Sequence, residues 1–278
     1  MGKKIFVLYG PGGNGHRSGA KMVKETLNRK YPEHEVIIKD VNEIANMFLK
    51  FTLGVYDNLL KADPKYVKYG YHLLNNIKTD KVMTPVFPGV VNILAKWFKE
   101  FQPDIIISVH SAINSFIVEA MKKLNWFGKK PFVILCTDMT DNFLNGWVNK
   151  DADLLIGFLE VTKKQLIDYG MPEHKIKVLG GPPVNPVFLD THITKAQARE
   201  NLGLDPDTFT VFIMSGGVGL KTIYKFTRQL INSSLPVQLL VCCGTNARLK
   251  EKVDKVVRYT KKNVKVFGFT NQIHSLMS

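Results

Sequence analysis

The sequence predicts an α/β fold of two doubly wound lobes, each a mostly parallel sheet flanked by helices. Three observations predict it. Residues 5–9 form a short apolar, β-rich run that leads into a glycine loop, and beyond that loop Ala20, Val23 and Leu27 recur at helical spacing. Fully apolar strands at 105–109, 131–136 and 153–157 then alternate with helical stretches, the pattern of a parallel sheet buried on both faces. The strand, glycine loop and helix return at 209–214, 215–219 and 221–231.

The first glycine loop has three readings. Unpaired N–H groups and the positive end of the helix dipole make such a loop a cradle for anions and cofactors. Gly10-Pro11-Gly12-Gly13-Asn14-Gly15 matches G-x-G-x-x-G, and Val36-Ile37-Ile38-Lys39-Asp40 ends a second strand on an acid where a ribose-binding carboxylate sits. That is an NAD(P)-dependent oxidoreductase. The glycine spacing also fits a P-loop, but His16-Arg17 replaces the Lys-Ser/Thr that must follow, so this reading is excluded. The third reading starts from the His16 imidazole, placed where it can take a proton from an acceptor hydroxyl near neutral pH. A histidine that only caps the helix, or is solvated, is the plain alternative.

Gly13-Asn14-Gly15-His16-Arg17-Ser18-Gly19-Ala20 resembles the G-x-G-H-x-x-A signature of the monogalactosyldiacylglycerol synthases and processive diacylglycerol glucosyltransferases, relatives of the peptidoglycan lipid-intermediate N-acetylglucosaminyltransferase. The resemblance implies a GT-B type protein of two Rossmann-like lobes that moves a hexose from a UDP-sugar to a diacylglycerol-type lipid with inversion. It makes His16 the general base, puts Gly13, Gly15 and Arg17 in the acceptor loop, and implies no cofactor or metal beyond the UDP-sugar substrate.

Along the chain, Val41, Ile44, Phe48, Phe51, Val55 and Leu59 keep helical spacing with tyrosines and lysines interspersed. They predict either a core-facing helix pair or an amphipathic surface bedded in a membrane, together with residues 84–89, read as a loop. A helix is expected over 92–101, ended at Pro103-Asp104. His110 stands at the carboxyl end of the 105–109 strand, resembling the family's strand-end histidine, and a hydrogen-bonded turn residue is its other reading. The next strand delivers Thr137-Asp138, a pair the family also has, and Asp138 is expected to orient or tune His16 as the second catalytic residue, unless it only caps a turn. Trp147-Val148-Asn149 follows where the family has Trp-Val-His, so any titratable contact at residue 149 is lost.

Helices are expected at 161–169, stopped by Gly170 and Pro172, and at 195–202. Gly181-Pro182-Pro183-Val184-Asn185-Pro186-Val187-Phe188 resembles the family's junction between lobes. By the resemblance Gly216, Gly217, Val218 and Gly219 meet the donor diphosphate, and Phe269, Thr270 and Ile273 lie beside the nucleobase. The expected domains are 1–186 for the lipid acceptor, 187–207 as linker, and 208–278 for the UDP-sugar. The last has about three strands and lacks the family's Gly-Gly-x-Thr loop and ribose-binding Glu, so the second lobe reads as truncated and the chain as a fragment. A non-catalytic lipid-binding protein is therefore a third functional reading.

Composition bounds the rest. A hydrophobic content of 45% suits a globular chain with a sizeable core, and no apolar run nears the roughly 20 residues that span a bilayer. Cys136, Cys242 and Cys243 all sit on apolar runs and imply buried thiols in a reducing compartment, with no disulfide framework or zinc site. The net charge of +14 attracts anionic partners. No nucleic-acid-binding signature accompanies it, and the expected partner is an anionic membrane surface, met by a cytoplasmic, peripherally associated protein.

Overall fold

The computed structural model describes residues 2–10, 14–41, 84–85, 87–141, 143–181, 184–188, 193–215 and 221–277, with the backbone alone at residues 14 and 186. The chain divides into two compact units, Met1–Val184 and Asn185–Ser278.

In the first unit β1 (Lys4–Tyr9), β2 (Glu35–Asp40), β3 (Ile105–Ser108), β4 (Phe132–Leu135), β5 (Leu154–Gly157) and β6 (Ile176–Val178) form one sheet in the order β2-β1-β3-β4-β5-β6. Every pairing is parallel. Successive side chains of a strand point to opposite faces, so β1 feeds two cores. Phe6 and Leu8 join Leu94, Phe98, Ile106 and Ile117 on one face, while Ile5 and Val7 join Ala20, Val36 and Val109 on the other. Helix α1 (Asn14–Lys30) covers the second face; α2 (Pro88–Phe101) and α3 (Asn114–Lys123) cover the first. Full burial of a Leu or Phe side chain contributes about 1.5–3 kcal/mol. Helix α4 (Glu160–Asp168) follows β5 and buries Leu166. Cα partners run Val7↔Ile38 and Val7↔Ile107, so β1 lies between its successor β2 and the later β3. The strand order reverses there, and a crevice opens beyond the carboxyl ends of β1 and β3.

Two expectations change. Helix α2 begins at Pro88, not at 92, and Thr84 and Pro85 are also helical, so of the described residues in 84–89 only Phe87 is non-helical. Proline at the first helical position has no N–H to leave unpaired, which is why Pro88 opens the helix. Gln102, at φ 47°, caps the other end by donating its N–H to the Phe98 carbonyl. Val41, first of the proposed membrane-facing series, is 1% exposed and lies in the core; residues 42–83 fall outside the described residues. Among the described residues no helix is long and apolar enough to cross a membrane.

The second unit holds β7 (Phe209–Met214), β8 (Val237–Cys242) and β9 (Val264–Phe267), parallel in that order. Helices α6 (Thr222–Ile231) and α7 (Ala247–Val257) pack Ile223, Leu249 and Val253 on Ile213, Leu239 and Val241. Residues 195–201 of the expected linker form helix α5 (Lys195–Asn201) within this unit, opened by a reciprocal Thr194–Gln197 capping box. A short helix, α8 (Ile273–Leu276), ends the described chain. All three cysteines are buried free thiols, and burial pushes Cys243 up to about 11 and Cys136 further.

Candidate active site

Four segments meet at the β1/β3 crevice: the start of α1, the turn after β3, the residues after β4, and the 143–149 loop. Helix α1 starts at Asn14, six residues before the apolar series that begins at Ala20, and this puts His16 on its first turn. The polar run from Asn14 to Ser18 hides that start in the sequence. The His16 Nδ1 lies 3.1 Å from the Thr137 hydroxyl. Its ring centroid is 4.5 Å from that of His110, at an interplanar angle of 61°, and 5.8 Å from that of Trp147. Burial pushes the imidazole below its ordinary value of 6.5; the Asp138 charge and the Val109 carbonyl pull the other way.

Asp138 is expected to orient or tune His16, and of the two roles its charge bears on the tuning one. Its Oδ2 accepts from the Trp147 indole N–H at 2.7 Å, and the contact to the His16 ring belongs to Thr137. Asp138 therefore acts on His16 through its charge, while its carboxylate fixes a fully buried Trp147. The preference has a chemical reason, because an indole N–H is a donor only and a buried one requires an acceptor. His110 does reach the crevice. It is 6% exposed, and its Nδ1 accepts from the Ala112 N–H at 3.1 Å.

The glycines are placed with distinct effects. A Cβ on Gly10 would lie 3.0 Å from His110 Cγ and Cδ2, and one on Gly19 would lie 3.1 Å from both Thr137 Cγ2 and Val109 Cγ1. Gly10, read in the sequence as the first glycine of a dinucleotide loop, thus makes room for a histidine ring. Gly15 and Arg17 are exposed, and a Cβ on Gly15 would meet open space. Asn149 is spent locally, its Oδ1 accepting from the Asp151 N–H.

Two participants carried no sequence signal. Asn114, 1% exposed at the start of α3, donates its amide N–H to the Gly146 carbonyl at 2.8 Å and ties the Trp147 loop to the turn after His110. Ser108 Oγ donates to the His110 carbonyl at 3.2 Å. The Asn114 bond joins residues 32 apart in the chain, whereas Ser108 acts within its own turn, two residues from His110.

Of the donor-side residues, Phe269 is 55% exposed, Thr270 Oγ1 accepts from the Gln272 N–H, and Ile273 opens α8. Gly13 and the run Gly216, Gly217, Val218 and Gly219 lie outside the described residues.

Two parallel α/β units, the first with His16 at its strand-order reversal, place the chain in the Rossmann-like, GT-B fold class that it shares with solved glycosyltransferases. The sequence model of monogalactosyldiacylglycerol (MGDG) synthase matches residues 16–184, more than half of the chain, and the chain belongs to that family. It is 27% identical over 286 residues to the chloroplastic monogalactosyldiacylglycerol synthase of Spinacia oleracea, covering 99% of this chain and 54% of that protein. It is 25% identical over 276 residues to the processive diacylglycerol beta-glucosyltransferase of Bacillus pumilus, covering 99% and 70%. The crystal structure of Anabaena HepE in complex with UDP and glucose shares the fold, with a TM-score of 0.56 at 16% identity over 99% of this chain and 71% of that one. The chain spans about half the length of the plant relatives it matches.

Proposed function

We propose that this chain carries acceptor- and donor-lobe residues of an inverting glycosyltransferase, which moves a hexose from a UDP-sugar to a diacylglycerol-type lipid at a membrane surface. Family membership and the names of the relatives support the reaction class. The observation that carries the reading is His16, a half-buried imidazole held toward its neutral form at the crevice and bonded through Nδ1 to Thr137. With Nδ1–H donating to the Thr137 hydroxyl, Nε2 keeps its lone pair for the substrate. It takes the proton of the lipid hydroxyl as that oxygen attacks the anomeric carbon. The bond from that carbon to the diphosphate breaks, and UDP leaves with the electron pair. By the family resemblance Gly217, Val218 and Gly219 are assigned to the departing diphosphate, whose charge hydrogen-bond donors would stabilise. The net charge of +14 supports attraction to anionic head groups.

The test is transfer from UDP-galactose or UDP-glucose to diacylglycerol in vesicles by the full-length protein. His16→Ala is expected to lower the rate by roughly 10² to 10⁴ fold, the contribution of a positioned base, while protection against thermal unfolding by UDP persists. A variant with the wild-type rate overturns the assignment. Saturable vesicle binding with neither transfer nor UDP protection would favour a lipid-binding protein instead.

A further inference from the structure

The turn that follows β3 needs no aromatic ring. The Ala112 N–H requires an acceptor on the side chain two residues earlier, and Asn, Asp or Ser supplies one as readily as His110 Nδ1 does. What the other side of the imidazole touches is a separate matter. It rests on the bare Cα of Gly10, where a Cβ would come within 3.0 Å of Cγ and Cδ2 and 3.2 Å of Nδ1. It also meets the His16 ring edge to face, centroid to centroid at 4.5 Å. Accepting at Nδ1 places the ring proton on Nε2 and fixes the ring's orientation.

We propose that His110 is a positioning residue for His16, its ring filling the space between Gly10 and the His16 imidazole and setting the plane in which that imidazole stands. Two torsions must be fixed to aim a histidine ring, and χ2 is a soft one. The Thr137 hydroxyl holds one ring nitrogen of His16. The Thr137 hydroxyl and the Val109 carbonyl act at the ring's nitrogens, whereas His110 packs against the ring itself. Thr137 and His110, from the ends of β4 and β3, meet the His16 ring, and Gly10, from the end of β1, seats the His110 ring. The kinetic consequence rests on the glycosyltransferase reading above. The contact itself does not.

The experiment is a double-mutant cycle on the full-length protein with His110→Asn and Gly10→Ala, read by steady-state kinetics and by the imidazole ¹⁵N signals of His16. Asparagine at 110 keeps the acceptor for the Ala112 N–H and deletes the part of the ring that reaches His16. Alanine at 10 keeps His110 but displaces its ring. Each is expected to lower kcat by up to about 10²-fold with KM little changed, the scale of loss from misplacing a reacting group by about 1 Å. Each should also shift the His16 ¹⁵N signals toward a mixture of tautomers. The double variant should lose no more than the worse single one, because both remove the same contact.

Wild-type kcat and unchanged His16 signals in His110→Asn would overturn the proposal and leave His110 a turn cap. Additive losses in the cycle would overturn it as well. If His110→Asn fails to fold, Gly10→Ala and the ¹⁵N signals decide alone. If the wild type transfers no sugar, the function reading fails, and the ¹⁵N signals still test the contact.

Discussion

At the scale of the residue, the chemistry depends on keeping His16 neutral where a proton must be taken. Burial lowers its proton affinity, and Asp138 and the Val109 carbonyl restore part of it. Because the folded state binds its proton less tightly than the unfolded chain, the folded protein loses stability relative to the unfolded chain as pH falls below 6.5 and through the depressed folded value. The sign is opposite to that of a salt-bridged histidine. For activity, the acid limb of the kcat/KM profile, which reports the free enzyme, is expected below 6.5. Asp138→Asn should move that limb lower still: the amide oxygen keeps an acceptor for the Trp147 indole while the charge that raises His16 is gone. A limb that stays in place or moves up, measured as kcat/KM against pH, would show that Asp138 does not act through its charge.

At the scale of the element, the distance between α1 and the strand ends is set at Gly19, one turn beyond His16. Alanine is a better helix former than glycine by about 1 kcal/mol, yet a methyl group there would press on Thr137 Cγ2 and Val109 Cγ1, both 3.1 Å away. The two effects oppose each other in stability and not in geometry. Gly19→Ala is therefore expected to leave the melting temperature nearly unchanged and to lower kcat by up to about 10²-fold through the stretched His16–Thr137 contact. Kinetics and thermal unfolding on the same preparation check it. A variant with full activity would mean that α1 can move without moving His16. Helix α2 shows the converse, where a local rule settles the start: Pro88 opens it because the first turn has no use for its N–H.

At the scale of the molecule, two units each carry a parallel sheet, and a net charge of +14 surrounds them. Charge-driven attraction to anionic lipid is screened over about 8 Å at physiological salt and about 3 Å at 1 M. Binding to vesicles containing anionic lipid should weaken steeply as salt rises, and vesicles of neutral lipid should bind less at any salt. Sedimentation with vesicles measures both. Salt-independent binding would shift the attachment to apolar insertion.

The sequence by itself determined the alternation of buried strands and helices, since apolar periodicity is local and both faces of a parallel sheet must be covered. It also brought out His16, His110 and Thr137-Asp138, because a polar residue just past an apolar strand marks a crevice in this kind of fold. Tertiary structure decided the partnerships. The order β2-β1-β3-β4 brings Gly10, His16 and Gly19, residues 108–114, and Thr137, Asp138 and Trp147 to one place. Only there does Thr137 rather than Asp138 meet the His16 ring, the carboxylate go to Trp147, and Gly10 become a seat for His110. Spacing along the chain encodes none of these contacts, because their distances are fixed by which strands are neighbours.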